Sequence, residues 1–244
     1  AIERGECDVV IAGGADSTSN GELKMPQKVV RALGPVMMGG KASVRDYVDA
    51  ISKLAPFTDI FPRVPRIVER TTGQVMGEAA EEMAIRNEIP RKAQDAFALS
   101  SHIKAAKAWA DGHYEDEVVP VDADGLETRL DGLIRADTSL EKLARLRPVF
   151  AERGSVTAGN ASALTDGAAA VLLMSEEKAK SLGYVPLATI RSWAYVGVDP
   201  SDQLLIGPAL SMPKALERAG IELKDVNLVD VHEAFTAQVL SVLK

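Results

Sequence analysis

Asn227-Leu-Val-Asp-Val-His232-Glu-Ala-Phe235-Thr-Ala-Gln238 places an apolar run, a titratable pair and the start of a helical pattern one after another. That order predicts a strand turning directly into a helix. It is the unit of an α/β sheet, in which ligands occupy the crevice beyond the carboxyl ends of the strands. His232 and Glu233 stand at the turn. A histidine there donates a hydrogen bond, shuttles a proton or binds a metal, and it titrates near neutral pH. The alternative is a histidine satisfied within the fold and without a chemical role.

Moving back from this stretch, Met212-Pro213-Lys-Ala-Leu-Glu-Arg-Ala-Gly220 predicts a helix with Pro at its start and Gly at its end. Leu187-Ala-Thr-Ile-Arg-Ser-Trp193 reads as a strand, and Ser175 to Gly183 as a capped helix. The apolar run Ala168–Met174 suits a buried strand, with a core helix as the alternative. Just before it lies Gly154-Ser-Val-Thr-Ala158-Gly159-Asn160-Ala-Ser162-Ala-Leu-Thr-Asp166-Gly167. Its small residues permit close backbone approach to a neighbouring element or to a ligand.

Further back, residues 124–147 are charged and turn-rich, and Glu117-Val-Val-Pro-Val-Asp122 reads as a short strand. Two helical patterns are clear, Thr72 to Ile85 and Pro90 to Gly112. The second is punctuated by Pro at its start and Gly at its end. His102 and His113 read as surface or helix-end residues. From about Met25 to Pro65 short apolar pieces are mixed with Gly, Pro and basic residues, which predicts a loop-rich insertion with short helices. Phe57, Ile60 and Phe61, near Arg63 and Arg66, suit a packed subdomain with a solvated basic rim. They equally suit contact with a membrane surface or an acyl chain. Near the start, Val9-Val-Ile-Ala12 followed by Gly13-Gly14 reads as a fully buried strand of the parallel-sheet type. The loop after it lacks the spacing of a dinucleotide or P-loop motif.

Composition narrows the function classes. Hydrophobic residues make up 46% and charged residues 26% of 244, ordinary for a globular protein of one large or two small domains. A net charge of -7 argues against a nucleic-acid partner, which needs a basic surface. The single cysteine, Cys7, rules out an internal disulfide. It opens a strand rather than ending one, and reads as a small hydrophobe. The three histidines lack metal-ligand spacing, so no zinc site is expected. The first residues, Ala1-Ile-Glu-Arg-Gly5, read as the last turn of a helix, and the run to Lys244 has no cap. An internal fragment of a longer protein is therefore expected.

Taken together, five segments resemble the thiolase family. They are Gly5-Glu-Cys-Asp-Val-Val-Ile-Ala-Gly-Gly14-Ala-Asp-Ser-Thr-Ser19, Met76-Gly-Glu-Ala-Ala-Glu81, Arg147-Pro-Val-Phe150, Ser155 to Ser162 with Thr165-Asp-Gly-Ala-Ala169, and His232-Glu-Ala-Phe235. They keep the family's order over nearly the whole chain. Most of the family carries Asn at the position of His232. With Gln203-Leu-Leu-Ile-Gly-Pro-Ala-Leu210, the His form resembles the branch of the β subunit of the fatty-acid-oxidation trifunctional complex.

The resemblance implies a layered αβαβα fold, incomplete here, with an inserted loop domain that holds CoA. Residues 1–24 would end the N-terminal half, 25–157 would be the loop domain, 158–175 the return to the first half, and 176–244 the start of the second. It implies a 3-ketoacyl-CoA thiolase. A cysteine thiolate attacks the 3-keto carbon, acetyl-CoA leaves, and a second CoA takes up the shortened acyl group. In the family that cysteine lies upstream of the position of Ala1, and the activating His and second Cys lie beyond that of Lys244. Cys7 matches none of them, so this segment alone is expected to be inactive.

What carries over is His232, at the position that helps build the oxyanion hole, and Ser162, at a pantetheine-contacting position. The resemblance also implies CoA and acyl-CoA as substrates with no permanently bound cofactor. It implies a homodimer or tetramer and partnership with an enoyl-CoA hydratase/3-hydroxyacyl-CoA dehydrogenase subunit. The location would be cytoplasmic in a bacterium or mitochondrial in a eukaryote. Alternatives are a biosynthetic acetoacetyl-CoA thiolase and a non-catalytic relative that binds acyl-CoA or lipid. An α/β hydrolase is disfavoured because no G-x-S-x-G elbow is present.

Overall fold

The structure, a computed structural model, describes residues 1–63, 67–123 and 126–244. Arg66, counted above with the basic rim, and the first two residues of the charged stretch 124–147 lie outside the described residues. In chain order the elements begin with β1 (Val9–Asp16), α1 (Gln27–Met38), α2 (Val44–Ser52), α3 (Met76–Arg86) and α4 (Arg91–Ala110). They continue with β2 (Val121–Ala123), β3 (Leu126–Thr128), α5 (Leu140–Ala144), β4 (Gly167–Met174), α6 (Glu176–Leu182), α7 (Gly207–Ala219) and α8 (Thr236–Leu243). Two compact units result. One comprises Ala1–Ile67 with Leu164–Lys178, the other Val68–Ala163 with Ala179–Lys244.

In the first unit β1 and β4 pair antiparallel, from Val9 opposite Met174 to Asp16 opposite Gly167. The sequence reading expected β1 to be a fully buried, parallel-type strand, and this is corrected. Ile11 on β1 and Val171 and Leu172 on β4 are exposed. The small residues of the two strands make the antiparallel approach possible: a Cβ on Gly13 would lie 2.7 Å from the carbonyl oxygen of Ala169. Asp166 ties the neighbouring loop to this ladder by accepting the backbone N–H of Ser19 at 2.9 Å and the Thr18 hydroxyl at 3.3 Å. Its carboxyl is held below the usual range, the Ser19 hydroxyl being the largest cause.

The short apolar pieces of the insertion form a longer element than expected, the twelve-residue α1, which carries Pro35 inside it. A hairpin follows. Ser43 caps α2 in a reciprocal box, accepting from the Asp46 N–H while the Asp46 carboxylate accepts the Ser43 N–H at 2.8 Å. Val29, Ala32 and Leu54 form the small core between the two helices, with Leu33 and Ile60 against it.

The second unit is mainly helical. Ala80 and Ala84 of α3, Val156, and Ala237 of α8 form its core, with Ile89, Phe150, Leu205 and Phe235 packed around them. Alanine on both helices lets α3 and α8 approach closely. Gly77 serves the same end, since a Cβ there would meet the Phe150 ring at 2.1 Å. Phe150 in turn stands edge-on to Phe235, with ring centroids 6.1 Å apart. Pro90 precedes α4, and the chain turns out of it through Gly112 at a φ of +77°.

Three sequence readings are corrected in this unit. Residues 187–193 and 228–231 carry no ladder hydrogen bonds, although their apolar β-rich composition predicted strands. The first is anchored to α7 by side chains instead: the Ser192 hydroxyl donates to the Ala215 carbonyl at 2.6 Å and Arg218 donates to that of Trp193. Leu228 and Val229 of the second are exposed. The third concerns α7, which starts five residues before Met212. Pro208 takes the helix-start position and Pro213 lies inside the helix, while Gly220 ends it in the left-handed conformation at a φ of +66°.

Candidate functional site

The segment Ser155–Ser162 organises the second unit, and buried polar groups fix it. Glu81 of α3 is 4% exposed. Its carboxylate accepts the Ser155 N–H at 2.7 Å, the Val156 N–H at 2.8 Å and the Ser155 hydroxyl at 2.7 Å. A buried carboxylate needs such donors, because removal from water otherwise costs several kcal/mol, of the order ~2–7 even for a neutral polar group. Gly154 admits the arrangement, since a Cβ there would lie 2.5 Å from a Glu81 carboxylate oxygen. Gln94 of α4 adds a bond from its amide to the Ser155 hydroxyl oxygen at 2.8 Å.

Asn160, 2% exposed, is the centre of the network. Its side-chain oxygen accepts the Thr157 N–H at 2.7 Å, and its amide donates to Asp95 at 3.0 Å and to the Ser155 carbonyl at 3.1 Å. Asp95 is paired with Arg91 at 2.8 Å. The Arg91 guanidinium goes on to donate to the carbonyls of Leu143 and Leu146 at 2.7 and 3.2 Å, closing the free carboxyl end of α5. The segment also reaches forward in the chain: Ser162 N–H donates to the Ala234 carbonyl at 2.8 Å, and Ala161 bridges to Phe235. Gly159 packs flat on α5, with space for a Cβ only 2.5 Å from Leu146 and 2.6 Å from Leu143.

This scaffold encloses a cavity of about 520 Å³. One wall is α4, through Ala98, Ser101 and His102. Opposite are the residues 158–163, and Leu133, Arg135, Asp137 and Lys142 rim it. Glu233 closes the end nearest α8 and accepts a hydrogen bond from the Ser101 hydroxyl. The Lys142 ammonium is paired with Asp137 at 2.7 Å, and that contact is the largest cause of the lowered pKa of Asp137. Arg135 donates its backbone N–H to His102 Nδ1 at 3.2 Å. Its guanidinium makes no hydrogen bond among the described residues, so that charge remains available to an anion. Small side chains at Ala158, Gly159, Ala161 and Ala163 line the cavity beside Ser162 and keep its wall mostly apolar.

The structure places Ser162 on this cavity. His232 is exposed and forms no part of the wall, whereas its sequence neighbour Glu233 does. His102 is corrected from a surface or helix-end residue. It lies within α4, half-buried, on the cavity wall. The signal for it was helical spacing, since Asp95, Ala98 and His102 fall at i, i+3 and i+7 of one face. Arg135 and Lys142 lie in the charged stretch that sequence reading left without a site, and no spacing rule links them to Ser162. Cys7 is half-buried and belongs to the other unit. No group of three or more His, Cys, Asp or Glu able to hold a metal occurs among the described residues.

The cavity thus sets small residues and the Ser162 side chain beside Arg135, Lys142 and Asp137. The family of the chain follows from comparison with known proteins. The model of the thiolase N-terminal domain matches residues 1–177 and that of the thiolase C-terminal domain residues 184–244. The chain belongs to the thiolase family.

Among curated relatives, a 3-ketoacyl-CoA thiolase of Aeromonas salmonicida is 44% identical over 247 residues, covering all of this chain and 56% of that protein. One from Yersinia pestis is 45% identical over 249 residues, again covering all of this chain and 56% of the relative. The chain thus spans little more than half the length of these relatives. Among solved structures, human mitochondrial 3-ketoacyl-CoA thiolase in complex with CoA matches with a TM-score of 0.78 and 33% identity, over 97% of this chain and 55% of that one. An acetyl-CoA acetyltransferase from Syntrophomonas wolfei matches with a TM-score of 0.79 and 34% identity, over 99% and 56%. The expected thiolase-like α/β fold is therefore the fold of this chain.

Proposed function

We propose that this chain is the CoA-holding part of a degradative 3-ketoacyl-CoA thiolase. The complete protein would cleave 3-ketoacyl-CoA with CoA, giving acetyl-CoA and a shortened acyl-CoA in fatty-acid β-oxidation. The observation that carries the reading is the cavity beside Ser162, where a passage lined by small residues meets Arg135 and Lys142. CoA presents a thin pantetheine chain with amides and an anionic phosphate end. The passage suits the first, the Ser162 hydroxyl can bond an amide, and the two cations suit the phosphates. The names of the relatives support the same substrate class.

Within this proposal, residues 25–157 form the loop domain that holds CoA, 158–175 return to the first half, and the second half starts near 176. The change of family domain between residues 177 and 184 supports that boundary. His232 takes the oxyanion-hole role in the assembled enzyme. The His-Glu-Ala-Phe sequence at 232–235 supports the branch of the trifunctional complex β subunit. A homodimer or tetramer and a hydratase/dehydrogenase partner follow from that assignment. The match to acetyl-CoA acetyltransferases keeps a biosynthetic acetoacetyl-CoA thiolase as the second reading. Comparing long-chain and four-carbon 3-ketoacyl-CoA as substrates of the complete protein separates the two.

Calorimetric titration of CoA onto this chain tests the site. Binding is expected, weakened by salt. Arg135→Ala with Lys142→Ala should lower affinity tenfold or more and flatten the salt dependence. Ser162→Ala should cost about 0.5–1.5 kcal/mol, the worth of one hydrogen bond. No binding, or unaltered affinity in both variants, would assign the cavity to another ligand.

A further inference from the structure

We propose that Asp137 is a built-in competitor for the anionic end of the ligand, a carboxylate on the cavity rim that a phosphate must displace from Lys142 and Arg135. The proposal rests on the CoA reading for the identity of the ligand, and on the rim alone for the anion site. Lys142 donates to Asp137 twice, to the carboxylate at 2.7 Å and to the backbone carbonyl at 2.6 Å. Arg135 acts on the same carboxylate through its charge, with its own guanidinium free of hydrogen bonds among the described residues. All three residues line the cavity that Ser162 also lines. A carboxylate held by two cations presents to them what a phosphate oxygen would present, a negative charge and a hydrogen-bond acceptor.

The geometry makes the carboxylate the exchangeable partner. The Asp137 carbonyl keeps one of the three ammonium donors of Lys142, so the cation stays on the rim when the carboxylate leaves. The pair is open to water, with the Lys142 side chain 57% and the Asp137 side chain 85% exposed. Exposed pairs of this kind are weak. Charge-assisted bonds to a phosphate are stronger, and the fork of Arg135 can offer two of them at once. The ligand therefore wins, but by less than the two cations alone would allow. Asp137 subtracts charge from the rim while the ligand is bound and takes Lys142 back when it leaves. In the reaction proposed above, one CoA thioester replaces another at one site in every turnover. Tight and equal binding of both does nothing for the chemical step, and a resident competitor keeps the exchange reversible.

The test is calorimetric titration of the 244-residue chain with pyrophosphate, and separately with CoA and with pantetheine. Asp137→Asn keeps the size of the side chain and removes its charge. It should tighten pyrophosphate about two- to fivefold at low salt, the range of an exposed ion pair, and by less as salt rises. CoA should tighten by a similar factor, and pantetheine, which has no phosphate, should be unaffected. In a Lys142→Gln background the gain from Asp137→Asn should shrink, because the cation under competition is gone. Carboxyl NMR gives a second readout on the unmutated chain. The Asp137 midpoint, held low by Lys142 first and Arg135 after it, should rise when pyrophosphate is added. Tighter pyrophosphate binding in Asp137→Asn without any binding of CoA would uphold the competitor and overturn the CoA reading. Unchanged pyrophosphate affinity in Asp137→Asn, no pyrophosphate binding by either protein, or an Asp137 midpoint that pyrophosphate leaves in place overturns the proposal.

Discussion

The backbone carbonyl of Asn160 accepts both donors of Thr236, the N–H at 3.0 Å and the hydroxyl at 3.2 Å. The first residue of α8 is thereby capped by a residue seventy-six positions earlier in the chain. Because the Asn160 side chain also holds Thr157 and Asp95, one buried residue fixes α4, α8 and the loop that walls the cavity. Removing its side chain strands the Thr157 N–H and takes the amide donor from the Ser155 carbonyl, while Asp95 keeps Arg91. Asn160→Ala should therefore cost about 2–4 kcal/mol, one to two unmet buried groups. Urea denaturation checks this, and a loss below 1 kcal/mol would show that water replaces the amide.

Gly77 offers a complementary probe of packing. An added Cβ would press into the Phe150 ring from 2.1 Å. Gly77→Ala should destabilise by about 1–3 kcal/mol, the range for overpacking, despite the better helix propensity of alanine. Phe150→Leu in the same chain should recover part of the loss, and a double-mutant cycle measures the coupling. Strict additivity would mean that Phe150 swings aside freely.

Much of this was legible in the sequence where local physics decides. Pro90 and Gly112 bracket α4, Gly183 and Gly220 end α6 and α7 at φ of +76° and +66°, and the apolar run before Ser175 is β4. Reading failed where an element depends on distant partners. Residues 187–193 have strand composition, but a strand needs a neighbour, and bonds from the Ser192 hydroxyl to α7 and from Arg218 of α7 hold the segment instead. Val44, Tyr47, Val48 and Ile51 of α2 have the spacing of a core helix yet are exposed, and pattern cannot say which way a helix faces. Ser162 was found through its motif, whereas Arg135, Lys142 and His102 join it only after folding.

Glu69 gives a pH-dependent outcome. Its carboxylate accepts the hydroxyls and N–H groups of Thr71 and Thr72 at 2.6 to 3.0 Å. It is lowered from an ordinary 4.5 to about 2, the Thr71 hydroxyl being the largest cause and the Thr72 N–H the next. A carboxyl with a depressed folded-state pKa stabilises the fold fully above its unfolded value and loses that contribution as pH falls through the folded one. The turn at Glu69 should therefore hold at neutral pH and loosen only as pH drops from about 4.5 towards 2. Carboxyl NMR titration reads it directly. A midpoint that Thr71→Val leaves in place would remove the threonine hydroxyl as the cause.

His232 carries the prediction that reaches furthest. It is exposed in this chain and bonded to nothing among the described residues, while Glu233 beside it is tied to Ser101. If His232 supplies a donor to the oxyanion in the complete thiolase, its contribution belongs to the transition state rather than to CoA binding. Loss of one such donor lowers kcat by about 10²–10³. In the full-length enzyme His232→Ala should therefore reduce kcat by that order and leave CoA affinity nearly unchanged, whereas Ser162→Ala should weaken binding with less effect on kcat. Steady-state thiolysis measured alongside CoA titration separates the two. An unaltered kcat in His232→Ala would return that histidine to the surface role its exposure shows here.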